Sequence, residues 1–442
     1  MKVLVLVDGE HHPPVTRWGI DAARTRGLEP VLALLIGGTE KLDPDRDPDL
    51  GVALRRAGAS VPASLAEAIE TTEVEGVLDL SDEPVLGYRE RMELVAVALS
   101  RGVVYLGPDF RLDPPIDGPP LPVTTIAVIG TGKRVGKTAI AAELARVAAT
   151  VAPTPMVVAM GRGGPADPQV AWAGTVTLDL LLEQVRRGEH AASDYLEVAL
   201  TSGVTAVGAR RAGGGLGGKP MITNVRDAAE VAVRSGAGTV IIDGSGAAVP
   251  PVPWDAAVLA VPATLPPEYL GGYLGPLRLL LSDLVVVTMG YSPAGPENIP
   301  TLRSHVERLR GDARLIVTDF EPQPIGDVRG RDAFFTTTAP GAVAERQVRT
   351  LERSHGCRVV GWSARLADRA GLAKDLDGAE AYEVLLTELK AAAVDLACDR
   401  ALARGADVVF VDNRAVAVEG DTDLPTALRE TIDLAGERRA RR

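Results

Sequence analysis

The segment V-I-G-T-G-K-R-V-G-K-T, residues 128–138, is the part of the chain that best indicates a fold. It stands between an apolar stretch, Val123–Ile129, and an Ala-rich stretch, Ala139–Ala149. A glycine-rich turn that joins a strand to a helix and ends in Lys-Thr is the signature of a phosphate-binding loop. In such a loop, backbone N–H groups and the positive end of the following helix surround an anionic phosphate. The segment therefore predicts a nucleotide-binding α/β domain.

The residue types in this loop assign individual roles. Lys137 is expected to reach the β and γ phosphates of ATP, and the Thr138 hydroxyl is expected to ligate Mg²⁺. The spacing differs from the standard G-x-x-x-x-G-K-[ST], because Thr131 stands where the first glycine belongs and Gly130 precedes it. The predicted nucleotide-binding residues are Gly130, Thr131, Gly132, Lys133, Arg134, Val135, Gly136, Lys137 and Thr138.

A phosphate-binding loop needs an acid at the end of a neighbouring strand, where it holds Mg²⁺ or the water of the metal. Asp243 directly follows the apolar and β-branched residues 239–242, so we predict it as the second metal residue beside Thr138. A plain turn-forming Asp-Gly pair is the alternative.

Composition narrows the class of protein. The 442 residues contain 59 Asp+Glu against 47 Lys+Arg, a net charge of −12, which argues against a general nucleic-acid binder. Cys357 and Cys398 are far apart and lack the spacing of metal ligands, so a disulfide framework and a cysteine zinc site are not expected. No apolar run approaches the ~20 residues of a membrane span, and no signal peptide is recognisable. We predict a cytoplasmic protein that has no membrane partner.

Apolar strands alternate with helical stretches almost throughout, which predicts an α/β fold with mostly parallel sheets. The predicted order is an N-terminal Rossmann-like α/β domain (1–122), a P-loop domain (123–340) and a C-terminal α/β extension packing on it (341–442). The first domain is expected to end in a Pro-rich linker, 107–122, because proline interrupts helices and central strands.

Two other stretches are read as helical from their composition. The sequence predicts a helix near residues 48–57 and a long helical region over 376–403. The charged tail from Gly436 is expected to be frayed.

Arg162 lies among glycines in V-V-A-M-G-R-G-G-P, residues 157–165, just past a predicted strand. Ligands of open α/β sheets bind at the carboxyl ends of strands, and an arginine presents a bidentate fork to a phosphate. We therefore predict that Arg162 contacts substrate or phosphate and is catalytic together with Lys137 and Asp243. A structural turn is the alternative.

Residues 210–220, R-R-A-G-G-G-L-G-G-K-P, place Arg210, Arg211 and Lys219 around five glycines. Such a loop is either a flexible surface loop or a mobile lid whose cations fold over phosphates and exclude water. The prediction favours the lid and assigns its three cations to substrate binding.

The N-terminal segment V-D-G-E-H-H-P-P-V-T-R, residues 7–17, follows the first predicted strand. We predict that Glu10, His11 and His12 bind a small anionic substrate. A structural turn and a metal site are the alternatives, although a third metal ligand is not identifiable. In 324–340 the arginines Arg329 and Arg331 either face the nucleotide or pair with Asp327 and Asp332.

Several motifs together resemble one enzyme family. They are D-G-E-H-H-P-P-V, G-T-G-K-R-V-G-K-T, A-M-G-R-G-G-P, D-V-R-G-R-D-A-F-F-T-T-T-A-P, E-L-K-A-A-A-V-D and V-V-F-V-D-N-R. In this order, over essentially the whole chain, they resemble cyclic 2,3-diphosphoglycerate synthetases. The resemblance implies an enzyme that uses ATP and Mg²⁺ to close 2,3-diphosphoglycerate into a cyclic pyrophosphate, with release of ADP and phosphate.

Two other functions stay open at this point. The spelling of the P-loop is also similar to that of dethiobiotin synthetase, which would make the chain an ATP-dependent ligase of another anionic metabolite. A P-loop switch ATPase is the third reading, but partitioning ATPases carry a lysine where this chain has Gly132. Related synthetases are often dimers, so we predict a homodimer acting on a small phosphorylated substrate.

Overall fold

The computed structural model describes residues 1–293 and 295–442. Within residues 2–112, six strands and three helices alternate. They are β1 (Lys2–Val7), α1 (Pro13–Thr25), β2 (Glu29–Leu35), β3 (Ala53–Arg56), α2 (Val61–Thr71), β4 (Gly76–Asp79), α3 (Tyr88–Ser100), β5 (Val104–Leu106) and β6 (Arg111–Leu112).

These strands form one sheet in the order β3-β2-β1-β4-β5-β6. All neighbours are parallel except β5 and β6, which are antiparallel. Residues 3–7 of the central strand β1 are all buried, since helices cover both faces of the sheet. The order 3-2-1-4-5 is that of a Rossmann sheet, so the prediction of a Rossmann-like N-terminal fold is confirmed.

The predicted helix at 48–57 is wrong. Residues 53–56 form β3, which pairs in parallel with β2 at the edge of the sheet. The Ala-Leu-Arg-Arg sequence has good helix propensity, but Pro48 and the positive φ of Gly51 leave no room for a helical turn before it. Pairing with β2 then satisfies its backbone groups, and this tertiary contact overrides propensity.

Residues 124–293 and 295–440 supply the remaining elements. They are β7 (Thr124–Gly130), α4 (Lys137–Val151), β8 (Pro155–Gly161), β9 (Gln169–Ala171), α5 (Leu178–Arg186), α6 (Asp194–Ser202), β10 (Ala206–Ala212), β11 (Ile222–Thr223), α7 (Val225–Arg234), β12 (Thr239–Asp243), β13 (Ala256–Pro262), α8 (Glu268–Gly271), α9 (Gly275–Leu280), β14 (Leu284–Thr288), α10 (Gly295–Leu309), β15 (Arg314–Pro324), β16 (Asp332–Thr336), α11 (Gly341–Thr350), β17 (Arg358–Ser363), α12 (Arg369–Asp377), β18 (Val384–Thr387), α13 (Asp399–Ala403), β19 (Asp407–Glu419) and α14 (Leu424–Ala440). Two π-helical turns, Leu351–His355 and Ala393–Cys398, extend α11 and precede α13.

All the strands from β7 onward belong to one sheet. Its order is β11-β10-β8-β12-β7-β13-β14-β15-β19-β18-β16-β17, and β9 pairs with β10. The long strands β15 and β19 pair in antiparallel fashion and connect two parallel regions, so the C-terminal strands continue the sheet that carries the P-loop. The prediction of α/β folding with mostly parallel strands is thus confirmed.

Two predictions for the C-terminal part are wrong. The region 376–403 is not a continuous helix, because Val384–Thr387 forms the fully buried strand β18 between β19 and β16. The tail is helical to Ala440, because the Arg438 guanidinium donates 2.9 Å to Asp283 and Arg442 pairs with Asp255 at 3.1 Å. Long-range pairing in both places outweighs local composition.

The sheet order determines where a ligand can bind. Strand β7 lies between β12 and β13, and the loop after β7 leads into α4 at the carboxyl edge of the sheet. Helix α4 packs with Ile140, Leu144 and Ala148 against the sheet core. In an open parallel sheet this edge is the usual position of a ligand crevice. No helix in the described part of the chain is long and apolar enough to cross a membrane.

Candidate functional site

The loop between β7 and α4 is held in a tight turn by its surroundings. Gly136 has φ +86° and Arg134 has φ +60°, both in the left-handed region. A Cβ atom on Gly136 would lie 2.5 Å from Cζ of Phe320, so only glycine fits. The Thr288 hydroxyl donates 2.9 Å to the carbonyl oxygen of Val135. Residues of β14 and β15 therefore fix the loop that precedes the helix.

Lys137 is the first residue of α4 and folds back over the loop. Its ammonium group donates 2.8 Å to the carbonyl oxygen of Gly132, and only 7% of the residue is exposed. Burial lowers the pKa of Lys137 to about 8, while the charges of Asp243 and Asp194 act in the opposite direction. A phosphate bound in the loop would supply the negative charge that favours the protonated amine.

Asp243 ends β12 directly beside the loop strand, with its backbone in register with Val128 of β7. Burial, followed by the charge of Asp194, raises the pKa of this carboxyl group to about 8, against the effects of Lys137 and a hydrogen bond from Thr138. Asp243 is 1% exposed, and its Oδ1 accepts no hydrogen bond from any residue of 1–293 or 295–442. The structure therefore brings Lys137, Thr138 and Asp243 together.

The guanidinium groups of Arg162 and Arg211 lie close to each other beside Gly246, in the loop that follows β12. A Cβ atom on Gly246 would lie 2.7 Å from a terminal nitrogen of Arg162 and 3.0 Å from one of Arg211. Arg211 donates 2.8 Å to the carbonyl oxygens of both Ser245 and Gly213. Burial and then the charge of Arg162 lower the pKa of Arg211. Two guanidinium groups held this close together have the donor chemistry that binds an anion.

Arg210 and Lys219 are placed differently from Arg162 and Arg211. The Arg210 guanidinium donates 2.9 Å to the carbonyl oxygen of Gly164, whereas Lys219 pairs with Asp117 at 3.2 Å. Backbone hydrogen bonds close the glycine loop on itself, from Gly215 to Lys219 and from Gly218 to Gly215. The lid remains a prediction.

Glu10, His11 and His12 lie in a turn at the carboxyl end of β1. The buried carboxylate of Asp8 accepts hydrogen bonds from the backbone of Glu10 and His11 and from His11 Nδ1, the last at 2.8 Å. Its other oxygen accepts 2.8 Å from the backbone of Asp82. Within the described residues, no hydrogen bond or ion pair joins this turn to the P-loop. The sequence analysis missed Asp8, which organises the turn.

The arginines of 324–340 have separate surroundings. Arg331 pairs with Asp407 at 2.7 Å. The carboxylate of Asp332 forms its ion pair with Arg358, a residue of β17. Arg331 therefore forms an ion pair, but with Asp407 rather than with Asp327 or Asp332. For Arg329, the backbone N–H donates 3.1 Å to the carboxylate of Asp327.

Family models cover nearly the whole chain. The N-terminal domain of cyclic 2,3-diphosphoglycerate synthetase matches residues 2–113. The P-loop domain of the same enzyme matches residues 125–319, and its C-terminal domain matches residues 324–414.

The chain belongs to the cyclic 2,3-diphosphoglycerate synthetase family.

Full-length relatives agree with this assignment. The cyclic 2,3-diphosphoglycerate synthetase of Rubrobacter xylanophilus is 45% identical over 94% of this chain and 95% of its own length. That of Methanothermobacter thermautotrophicus is 41% identical over 98% of this chain and 96% of its own length. Among solved structures, ATP-bound LpxK from Aquifex aeolicus is 14% identical, with a TM-score of 0.43, over 79% of this chain and 96% of that one.

In this synthetase-family chain, a group of charged side chains that the sequence analysis missed extends the crevice. Lys390 pairs with Glu197 of α6 at 3.2 Å. The buried Glu388 accepts hydrogen bonds of 2.6 Å from Thr337 and 2.8 Å from Thr338. The motifs T-T-T (336–338) and E-L-K (388–390) contain Thr337, Thr338, Glu388 and Lys390, and could have indicated them. Asp194, at the start of α6, had no comparable signal.

Whether Mg²⁺ fits this family member depends on the oxygen donors present. In residues 1–293 and 295–442, no group of three or more His, Cys, Asp or Glu side chains has the arrangement of a metal cage. Thr138 and the free Oδ1 of Asp243 nevertheless provide hard oxygen atoms beside the P-loop. Mg²⁺ commonly takes few protein ligands and completes its shell with water and substrate phosphates. The donor set fits that ion.

Proposed function

We propose that this chain is an ATP-dependent synthetase that closes 2,3-diphosphoglycerate into cyclic 2,3-diphosphoglycerate, releasing ADP and phosphate. The supporting observation is the arrangement at the carboxyl edge of the sheet. Lys137 is buried, and its pKa is raised by the charges of Asp243 and Asp194 and lowered by those of Arg162 and Arg211. Such a crevice has places for a nucleotide phosphate, a divalent cation and a second anion.

The reaction has two phosphoryl steps. An oxygen of one substrate phosphate attacks the γ-phosphorus of ATP, and the bond from that phosphorus to ADP breaks. The substrate then carries a linear pyrophosphate. An oxygen of its other phosphate attacks the inner phosphorus of that pyrophosphate, so that inorganic phosphate leaves and the ring closes. No general base is required, since a phosphate dianion is already nucleophilic.

The protein positions these groups and offsets their charge. Lys137 and the N–H groups of the loop bind the β and γ phosphates, and they stabilise the phosphoryl group during transfer. Thr138 and Asp243 would hold Mg²⁺. When bound, Mg²⁺ supplies charge neutralisation between the phosphates.

For the ring to close, the enzyme must bring together the two phosphates of the substrate, which repel each other. Arg162 and Arg211 are the cations best placed for this task, because their guanidinium groups already converge on Gly246. We assign Arg210 and Lys219 to substrate binding on closure of the glycine loop. Glu10, His11 and His12 are assigned to recognition of the substrate in the closed enzyme. Positioning of this kind is a large part of catalysis in phosphoryl transfer.

The chain is also proposed to act as a cytoplasmic homodimer, with domain boundaries near residues 122 and 340. The similarity of the P-loop to dimeric synthetases supports the dimer. Analytical ultracentrifugation of the purified protein distinguishes a monomer from a dimer.

The decisive experiment is ³¹P NMR of the purified protein with ATP and Mg²⁺, with and without 2,3-diphosphoglycerate. We expect substrate-dependent release of ADP and a new pyrophosphate resonance that belongs to neither ADP nor ATP. Lys137→Ala should abolish both, whereas Lys374→Ala, on the exposed side of α12, should leave them intact. ATP hydrolysis that ignores 2,3-diphosphoglycerate would refute the substrate and leave only a nucleotide site.

A further inference from the structure

The inner part of the crevice contains more acids than cations. Its charged side chains are Lys137, Asp194, Glu197, Asp243, Glu388 and Lys390. Among these described side chains, four carboxyl groups face two ammonium groups. Lys133 and Arg162 are exposed, and Arg211 is half-buried, so these cations border the outer part, where phosphates would enter. The inner part of the crevice therefore has an excess of negative charge that the side chains of the protein do not neutralise.

Asp194 lies at the same edge of the sheet as Asp243. It is the first residue of α6, and its Oδ2 would be 3.3 Å from a Cβ atom on Gly161, the last residue of β8. Strand β8 pairs with β12, with Ala159 opposite Asp243. The start of α6 and the end of β12 thus bring both carboxylates to the same edge of the sheet, where the charges of both raise the pKa of Lys137.

The contacts around Asp243 and around the acids of α6 show which carboxyl groups are available to a cation. Oδ1 of Asp243 is buried without a hydrogen-bond partner in the described residues, and a buried carboxylate oxygen is costly to leave unpaired. One turn after Asp194, Glu197 is already paired with Lys390. The acid of α6 that remains for another cation is therefore Asp194.

We propose that Asp194 is a second carboxylate of the divalent-cation site, facing the same ion as Asp243 and Thr138. The inference rests on the proposed function, because it assumes that the P-loop binds a nucleotide with its metal. Lys390 is a positioning residue here. By neutralising Glu197, its ammonium group leaves α6 with one free acid at the crevice.

The test measures the metal dependence of ADP binding by isothermal titration calorimetry, in Mg²⁺ and in EDTA. Wild type should bind ADP more tightly in Mg²⁺. Asp194→Asn should reduce this gain by at least about tenfold, because the loss of even an outer-sphere partner of a metal site costs about that much. Affinity in EDTA should change little. Asp179→Asn, in the first turn of α5 and exposed, is the matched control and should keep the full gain.

The ADP titrations have three outcomes that contradict the inference or the proposed function. A full Mg²⁺-dependent gain in Asp194→Asn overturns the inference and leaves the proposed function standing. Equal losses of affinity in Mg²⁺ and in EDTA also overturn it, because Asp194 would then act through Lys137. If wild type binds ADP no more tightly in Mg²⁺ than in EDTA, the role of Mg²⁺ in the proposed function is contradicted as well.

A second variant covers the case in which Asp194→Asn does not fold. Asp194→Glu keeps a carboxylate but moves it by one methylene. With Mn²⁺ and ADP as the probe, its electron paramagnetic resonance spectrum should differ from that of wild type, while Asp179→Asn should match wild type. An unchanged spectrum for Asp194→Glu would overturn the inference.

Discussion

Replacing Gly136 by alanine tests whether the P-loop is constrained as the structure indicates. Gly136 has φ +86°, and a left-handed conformation costs a residue with a Cβ atom roughly 1–2 kcal/mol. The new Cβ atom would also lie 2.5 Å from Cζ of Phe320 and 3.2 Å from Cγ2 of Thr288. Overpacking of this kind costs about 1–3 kcal/mol. We expect Gly136→Ala to lower the free energy of unfolding by about 2–5 kcal/mol.

Gly203→Ala is the matched control. Gly203 ends α6 with φ +69°, but nothing lies within 4 Å of a Cβ atom built on it. This variant therefore carries the cost of the backbone conformation alone, about 1–2 kcal/mol. The loss of chain entropy in the unfolded state is the same for both substitutions and cancels in the comparison.

The assay is denaturant unfolding of both variants, combined with ADP binding by calorimetry. Gly136→Ala should be less stable than Gly203→Ala by about 1–3 kcal/mol. It should also bind ADP at least about tenfold more weakly, equivalent to 1.4 kcal/mol, because the loop amides move. Gly203→Ala should bind ADP like wild type. Equal stabilities, with unchanged ADP affinity in both variants, would refute the description of a loop fixed by Phe320 and Thr288.

Three further predictions concern other parts of the molecule. Burial lowers the pKa of Lys137 from 10.5 to about 8, so between these values the unfolded state binds more protons. The unfolding free energy of nucleotide-free protein should therefore rise with pH by up to about 3 kcal/mol, and Lys137→Met should lack this rise in denaturant titrations. Arg414→Ala removes the bond to Glu143 that ties β19 to α4, and should cost about 1–3 kcal/mol in the same assay, unlike the exposed Arg349→Ala. Asp8→Ala frees the turn at the end of β1, so KM for 2,3-diphosphoglycerate should rise in steady-state kinetics while KM for ATP stays unchanged.

Much of the fold could be predicted because its signals are local. Residues 3–7 and 239–242 are apolar and β-branched over strand-length runs, and both are buried strands. The P-loop could be predicted for the same reason, because one short segment contains its glycines, lysine and threonine. The helical predictions failed where pairing with a distant strand overrode composition, as in β3 and β18.

The sequence by itself established an α/β protein with a phosphate-binding loop, and its motifs pointed to the synthetase family. Only the tertiary structure brought Asp194 and Lys390 to the crevice, and only it paired Lys219 with Asp117 rather than placing it with Arg162 and Arg211. The physical reason is the range of the interactions. Loop conformation and strand patterning depend on neighbouring residues, whereas the charge balance of a crevice depends on how sheet order brings together the ends of distant strands.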